Sequence, residues 1–117
     1  MEIRNREQQE PFTTKDGSTI RSLMDLSIAP VSNQSLAEAS LPGGVATQLH
    51  YHRLSEEIYY ITAGHGEMEI NGKIRNIAPG DAILIPPGAW HQIRAAEPLT
   101  FLCCCAPPYA HADTYFE

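Results

Sequence analysis

The stretch LHYHRLSEEIYYITAG, Leu49 to Gly64, sets two histidines one residue apart ahead of a pair of glutamates and a tyrosine-rich apolar run. On an extended strand successive side chains alternate faces, so His50 and His52 leave the same side with Cα atoms about 6 to 7 Å apart. Two imidazoles placed this way can converge on one ion. A third histidine, His91, follows the turn PPGA far downstream, where a neighbouring strand could deliver it to the same place. Three imidazoles and one carboxylate would form a nitrogen-and-oxygen site suited to a first-row divalent metal. The carboxylate is Glu56 or Glu57, which point to opposite faces of one strand. Taken singly, each histidine reads as an ordinary polar residue, and a His-x-His pair also occurs on surface strands, so the surrounding pattern has to decide.

The chain has 117 residues, enough for one core and too few for two. Eight basic against fourteen acidic side chains leave a formal charge of -6, with no basic cluster. The counterion release that drives nucleic-acid binding therefore has no source here, and no nucleic-acid partner is expected. The start, MEIRNREQQEPF, is charged, and no stretch approaches the length needed to cross a bilayer. A cytoplasmic protein without a membrane partner is the expectation. The cysteines, Cys103, Cys104 and Cys105, are contiguous and odd in number, which fits neither a disulfide framework nor a paired-cysteine zinc pattern. In LTFLCCCA they read as small hydrophobes on a strand, Cys103 and Cys105 facing one way and Cys104 the other, with no basic residue placed to activate a thiol.

From about Leu26 onward, short apolar segments alternate with turn residues, which is the signature of an all-β sandwich or barrel. Residues 1–25 read as a polar N-terminal arm with a possible edge strand, 26–106 as the barrel, and 107–117 as a tail lying on the surface or against a partner. The turns are DGS at Asp16 to Ser18, PGG at Pro42 to Gly44 after a strand around Ser35 to Leu41, Asn71-Gly72 in a tight hairpin, and APGD at Ala78 to Asp81 before the apolar AILI. About eight to ten strands result, with no convincing helix and no internal repeat.

Gly44, His50, His52, Glu57 and Gly64 then stand at spacings that resemble the first conserved motif of the cupin superfamily, and Gly80, Pro86, Gly88 and His91 at spacings that resemble the second. The fifteen residues between Gly64 and Gly80 match the shortest spacer of compact bacterial cupins. One position departs from the pattern: Ala95 stands where the family carries Asn, which is not a metal ligand. The resemblance implies an all-β double-stranded β-helix, a single-domain jelly-roll barrel. It also implies one divalent transition metal ion (Fe, Mn, Ni or Zn) held by His50, His52, Glu57 and His91. His65 and His111 fall outside the motifs and read as surface residues, and Gly64 and Gly66 as turn residues.

Strand parity adds Gln48 to the inward face with His50, Tyr59 and Ile61 with Glu57, and Ile93 with His91. These four are the pocket candidates, and Gln48 and Tyr59 alone among them could orient a substrate or move a proton. Arg53 and Arg94 have outward parity, which disfavours a tightly held phosphate. The expected function is that of a metal-dependent enzyme acting on a small oxygen-rich molecule by dioxygenation, isomerisation or lyase chemistry, and the alternative is a non-catalytic metal-containing binding or sensor protein. A complete ligand set at an open site is more than ligand holding requires, which favours the enzyme. A homodimer is expected, because outward-facing Ile58 and Tyr60 with Val45 and Leu49 would form an apolar patch and cupins of this size pair through such a wall or by exchanging N-terminal strands.

Overall fold

Turns set by glycine, proline and asparagine cut the chain into lengths that suit strands and leave no room for a helix longer than one 3₁₀ turn. The computed structural model describes residues 1–117. In chain order the strands are β1 (Phe12–Thr13), β2 (Thr19–Met24), β3 (Ser35–Leu41), β4 (His50–His52), β5 (Glu56–Ala63), β6 (Gly66–Ile70), β7 (Lys73–Ile77), β8 (Ala82–Ile85), β9 (His91–Ala95), β10 (Leu99–Ala106) and β11 (Thr114–Phe116). They form two antiparallel sheets, a six-stranded one in the order β1-β2-β3-β10-β5-β8 and a five-stranded one in the order β11-β4-β9-β6-β7. The inner faces close on each other as a jelly roll. No helix is long and apolar enough to cross a membrane.

Alternation builds the core. Along β5 the odd positions Glu57, Tyr59 and Ile61 are buried and the even positions Glu56, Ile58 and Tyr60 exposed. On β10 Leu99, Phe101 and Cys105 face in, and Cys104 pairs with Ile58 on the outer face. Phe101, Ile61, Ile85, Ile93 and Leu99 are almost wholly buried, each contributing about 1.5 to 3 kcal/mol of apolar transfer. Asn71 and Gly72 take φ values of 49° and 82°, the positive angles of a two-residue hairpin turn, and join β6 to β7.

Both termini do more than their composition suggests. Within the arm, β2 pairs with β3 from Thr19↔Ser40 onward and so lies inside the sheet, with β1 as the edge beyond it. Within the tail, β11 pairs with β4, placing Thr114 opposite His52 and Phe116 opposite His50. Side chains reinforce that pairing: Tyr115 stacks on Tyr51 with ring centroids 5.1 Å apart, and just before the strand Asp113 accepts hydrogen bonds from the Leu54 and Ser55 amides at 3.1 Å. The expected dimer patch is also divided. Ile58 and Tyr60 lie on the six-stranded sheet beside exposed Leu84, whereas Val45 precedes the bridge of Ala46 to Arg94 on the five-stranded sheet.

Gly64 and Gly66 serve close packing as well as turning. A Cβ on Gly64, where φ is +87°, would sit 2.1 Å from the Pro98 carbonyl oxygen, and one on Gly66, the first residue of β6, would sit 2.1 Å from that of Arg94. Gly80 has a φ of +94° but open space around it. Gly64→Ala should therefore cost about 3 kcal/mol or more, from backbone strain plus overlap, while Gly80→Ala should cost only the strain, about 1 to 2 kcal/mol. Urea denaturation of the two variants checks this, and equal losses would show that the close approach is not what demands glycine.

Candidate metal centre

Two strands of one sheet and one of the other deliver the site. His50 and His91 are cross-strand partners between β4 and β9, and His52 follows on the same face of β4. All three are buried, with ligating nitrogens within 4.8 Å of one another. Their outer nitrogens are tied down. His50 Nδ1–H donates to the Gln48 carbonyl at 2.7 Å and His91 Nδ1–H to the Ala89 carbonyl at 2.9 Å. Thr114 Oγ1 donates to the Ala110 carbonyl and so is free to accept from His52 Nδ1–H at 3.2 Å. Each imidazole is thereby held in the tautomer that turns an Nε2 lone pair inward, the orientation that a metal ligand needs.

Glu57 meets them from β5. Its Oε1 lies 3.4 Å from His52 Nε2 and 3.5 Å from His91 Nε2, and its Oε2 accepts a hydrogen bond from the Cys105 thiol at 3.1 Å. The two longer contacts are too long and wrongly paired for hydrogen bonds, and Glu57 Oε1 and His91 Nε2 are buried without any partner. Acceptors converging on acceptors fit a cation in their midst. With bonds of about 2.1 Å, adjacent ligand atoms of a metal stand about 3 Å apart and opposite ones about 4 Å, a spacing close to the one seen.

Burial and the neighbouring His91 pull the His50 imidazole down to about 4. For His52 burial works the same way, but Glu57, with Asp113 and Asp16 behind it, outweighs burial and raises the pKa. Burial would raise Glu57, yet His52 and His91 hold it well below the usual carboxylate range. Burial, reinforced by the charge of Glu57, pushes the thiols of Cys103 and Cys105 and the phenol of Tyr59 up, so all three stay protonated at neutral pH.

A cavity of about 410 Å³ opens above the centre. Tyr59 lines it. Gln48 does not, because β4 begins only at His50: Val45 to Leu49 is irregular, Thr47 takes the buried place by exchanging hydrogen bonds with Ile93, and the Gln48 side chain is exposed. What Gln48 supplies is its carbonyl. Ile61 and Ile93 face inward but belong to the sealed core, since Tyr59 and Phe101, with ring centroids 4.7 Å apart, close the interior above them. Ala95 is buried with its backbone bonded to Gly44 and Val45. Arg53, Arg94 and His65 are exposed, His65 paired with Glu97, and His111 stands at the cavity rim. The sequence reading passed over Asp16, Tyr109 and Phe116, which the termini bring to the cavity wall. Asp16 had shown itself only as part of the turn DGS, a role that conceals where a side chain points.

A family model described as "Cupin domain" matches residues 38–105. An uncharacterized protein of Methanocaldococcus jannaschii is 48% identical over 107 residues, covering 90% of this chain and 86% of that one. The L-ectoine synthase of Halomonas elongata is 32% identical over 76 residues, covering 63% of this chain and 55% of the synthase. Among solved structures, a predicted oxalate decarboxylase from Thermotoga maritima superposes with a TM-score of 0.79 at 25% identity, covering 90% of this chain and 98% of that one.

The metal-free protein should carry the imprint of these shifts. His50 has a folded pKa of about 4, below the unfolded value of about 6.5, so as pH falls the unfolded chain takes up the proton first and stability is lost between those values, on the order of 2 to 3 kcal/mol. His52 has the opposite sign: its raised folded pKa contributes stability that is present below the unfolded value and lost as pH rises through the folded one. With chelator present, His50→Gln should flatten the loss of stability from pH 7 to pH 4.5 and His52→Gln should steepen it. Parallel denaturation midpoints for all three proteins would contradict the geometry.

Proposed function

The chain belongs to the cupin domain family, and we propose that it is a metal-dependent enzyme acting on a small, oxygen-bearing molecule at the centre formed by His50, His52, Glu57 and His91. One observation carries the reading: three inward Nε2 lone pairs and an unpartnered carboxylate oxygen share one buried point beneath an open cavity. A bound divalent ion (Fe, Mn, Ni or Zn) would supply Lewis-acid polarisation of an oxygen brought beside it, and four protein ligands leave positions open for that oxygen.

The remaining residues restrict the chemistry. Tyr59 is buried, lines the cavity and keeps its proton, so it serves as a donor that orients or protonates an oxygen and not as a base. Cys103 and Cys105 keep theirs as well, which removes thiolate nucleophiles and leaves Cys105 to steady Glu57. Isomerisation, lyase chemistry and dioxygenation all proceed without a protein nucleophile. That L-ectoine synthase and the predicted oxalate decarboxylase are named as enzymes supports catalysis on this scaffold.

Protein purified without added metal or a histidine tag should contain close to one divalent ion per chain by elemental analysis. His52→Ala should lose it, with affinity falling by about a hundredfold or more, while His65→Ala should keep it. Loss in the second variant and retention in the first would refute the ligand assignment.

A further inference from the structure

The wall of the cavity is one-sided in charge. Asp16, Asp25 and Glu57 line it, and no lysine or arginine does. The cation nearest in sequence, Lys15, lies over the ring of Phe116 at 5.1 Å and takes no part in the lining. Asp16 is the member aimed at the centre. Its Oδ1 accepts hydrogen bonds from Thr14 Oγ1 at 2.6 Å, the Ser18 amide at 2.9 Å and Ser18 Oγ at 2.6 Å. Its Oδ2 makes no hydrogen bond and faces His50 Nε2 at 4.0 Å, with the side chain 18% exposed. The Asp16 carbonyl also accepts from the Gln48 amide at 2.8 Å, which ties this turn to the segment entering β4. A carboxylate fixed by three donors on one oxygen thus presents the other to the space that the histidines address.

On the metal reading above, we propose that Asp16 sets the charge of what binds beside the centre: it admits an uncharged or cationic molecule that offers an oxygen and turns away dicarboxylates. The bookkeeping of charge is short. A divalent ion is balanced by Glu57 and Asp16 together, so an incoming carboxylate finds no net attraction and stands about 4 to 6 Å from a fixed like charge. At an effective dielectric of about 20 that repulsion is worth tenfold or more in affinity. Burial dominates the protonation of Tyr59 and Cys103, and the charge of Asp16 adds to it at both, so its field spans the cavity.

The test uses the full chain loaded with Co(II), whose visible spectrum reports a new ligand. Oxalate is the dianionic probe and imidazole the uncharged one. Asp16→Asn, which keeps an oxygen for Thr14 and Ser18, should bind oxalate at least tenfold more tightly than the unaltered chain, with imidazole affinity within twofold and cobalt content unchanged. Asp16→Ser should move the same way. Equal oxalate affinities in all three proteins would overturn the proposal. So would loss of cobalt from both variants, which would make Asp16 a ligand of the ion and not a filter. Failure of the unaltered chain to take up cobalt would overturn the metal reading and this proposal with it, and is seen before any probe is added.

Discussion

A buried carboxylate oxygen that no proton donor reaches is the constraint on which this structure turns. Leaving Glu57 Oε1 buried and without a protein partner costs several kcal/mol, a large share of the roughly 5 to 15 kcal/mol by which a domain of this size is stable. The histidines cannot relieve it in their neutral form, because the ring proton of each sits on Nδ1 and is used outward, on Gln48, Ala89 and Thr114. Two reliefs remain: a cation among the four groups, or a second proton on His52. The same geometry thus accounts both for a metal's fit and for the raised pKa of His52 when none is bound. Cys105 acts on the other oxygen, giving Oε2 the single donor that leaves Oε1 free to turn toward the imidazoles.

Strand parity was a reliable guide wherever a strand is regular and misleading where it is not. β5 keeps its register with β10 from Glu56 to Ile61, the shift coming only at Thr62, so the sorting of Glu57 and Tyr59 inward from Glu56, Ile58 and Tyr60 outward follows from period alone. The same reasoning carried back from His50 fails at Gln48, because the chain leaves β geometry there and Thr47 bonds to Ile93 in its stead. Inward parity also does not distinguish a cavity wall from a sealed core: Ile61 and Ile85 are as inward as Tyr59, and what separates them is the packing of the Tyr59 and Phe101 rings. The hairpin at Asn71-Gly72 was legible because its chemistry is local. The strands of the arm and tail were not, since β1 and β11 are only two and three residues long, too short to show a period, and are fixed by pairing with distant segments.

Those two poorly legible segments are the ones that finish the site. The family match spans residues 38–105, which contains all four proposed ligands, whereas Asp16, Tyr109 and Phe116 lie outside it and line the cavity. The division has a physical basis. Ligands must be held to tenths of an ångström, so they sit on paired strands of the barrel, where backbone hydrogen bonds and packing on both sides resist displacement. Groups that choose a ligand act over several ångströms through charge and shape, and an arm or tail laid across the mouth can change them without disturbing the barrel. Proteins that share the motif can therefore differ in what they bind while keeping the same centre, which is why the fold by itself does not name the substrate. In this chain the coupling between the two tiers is direct: Phe116 packs 5.7 Å from the His50 ring and β11 pairs with β4 along its whole length. The strand that bears two of the proposed ligands is held on one side by the tail and on the other by a single pairing with β9. A tail that loosened would unsettle His50 and His52 as well as open the cavity, so the segment that lines the cavity also steadies the strand bearing two of the proposed ligands.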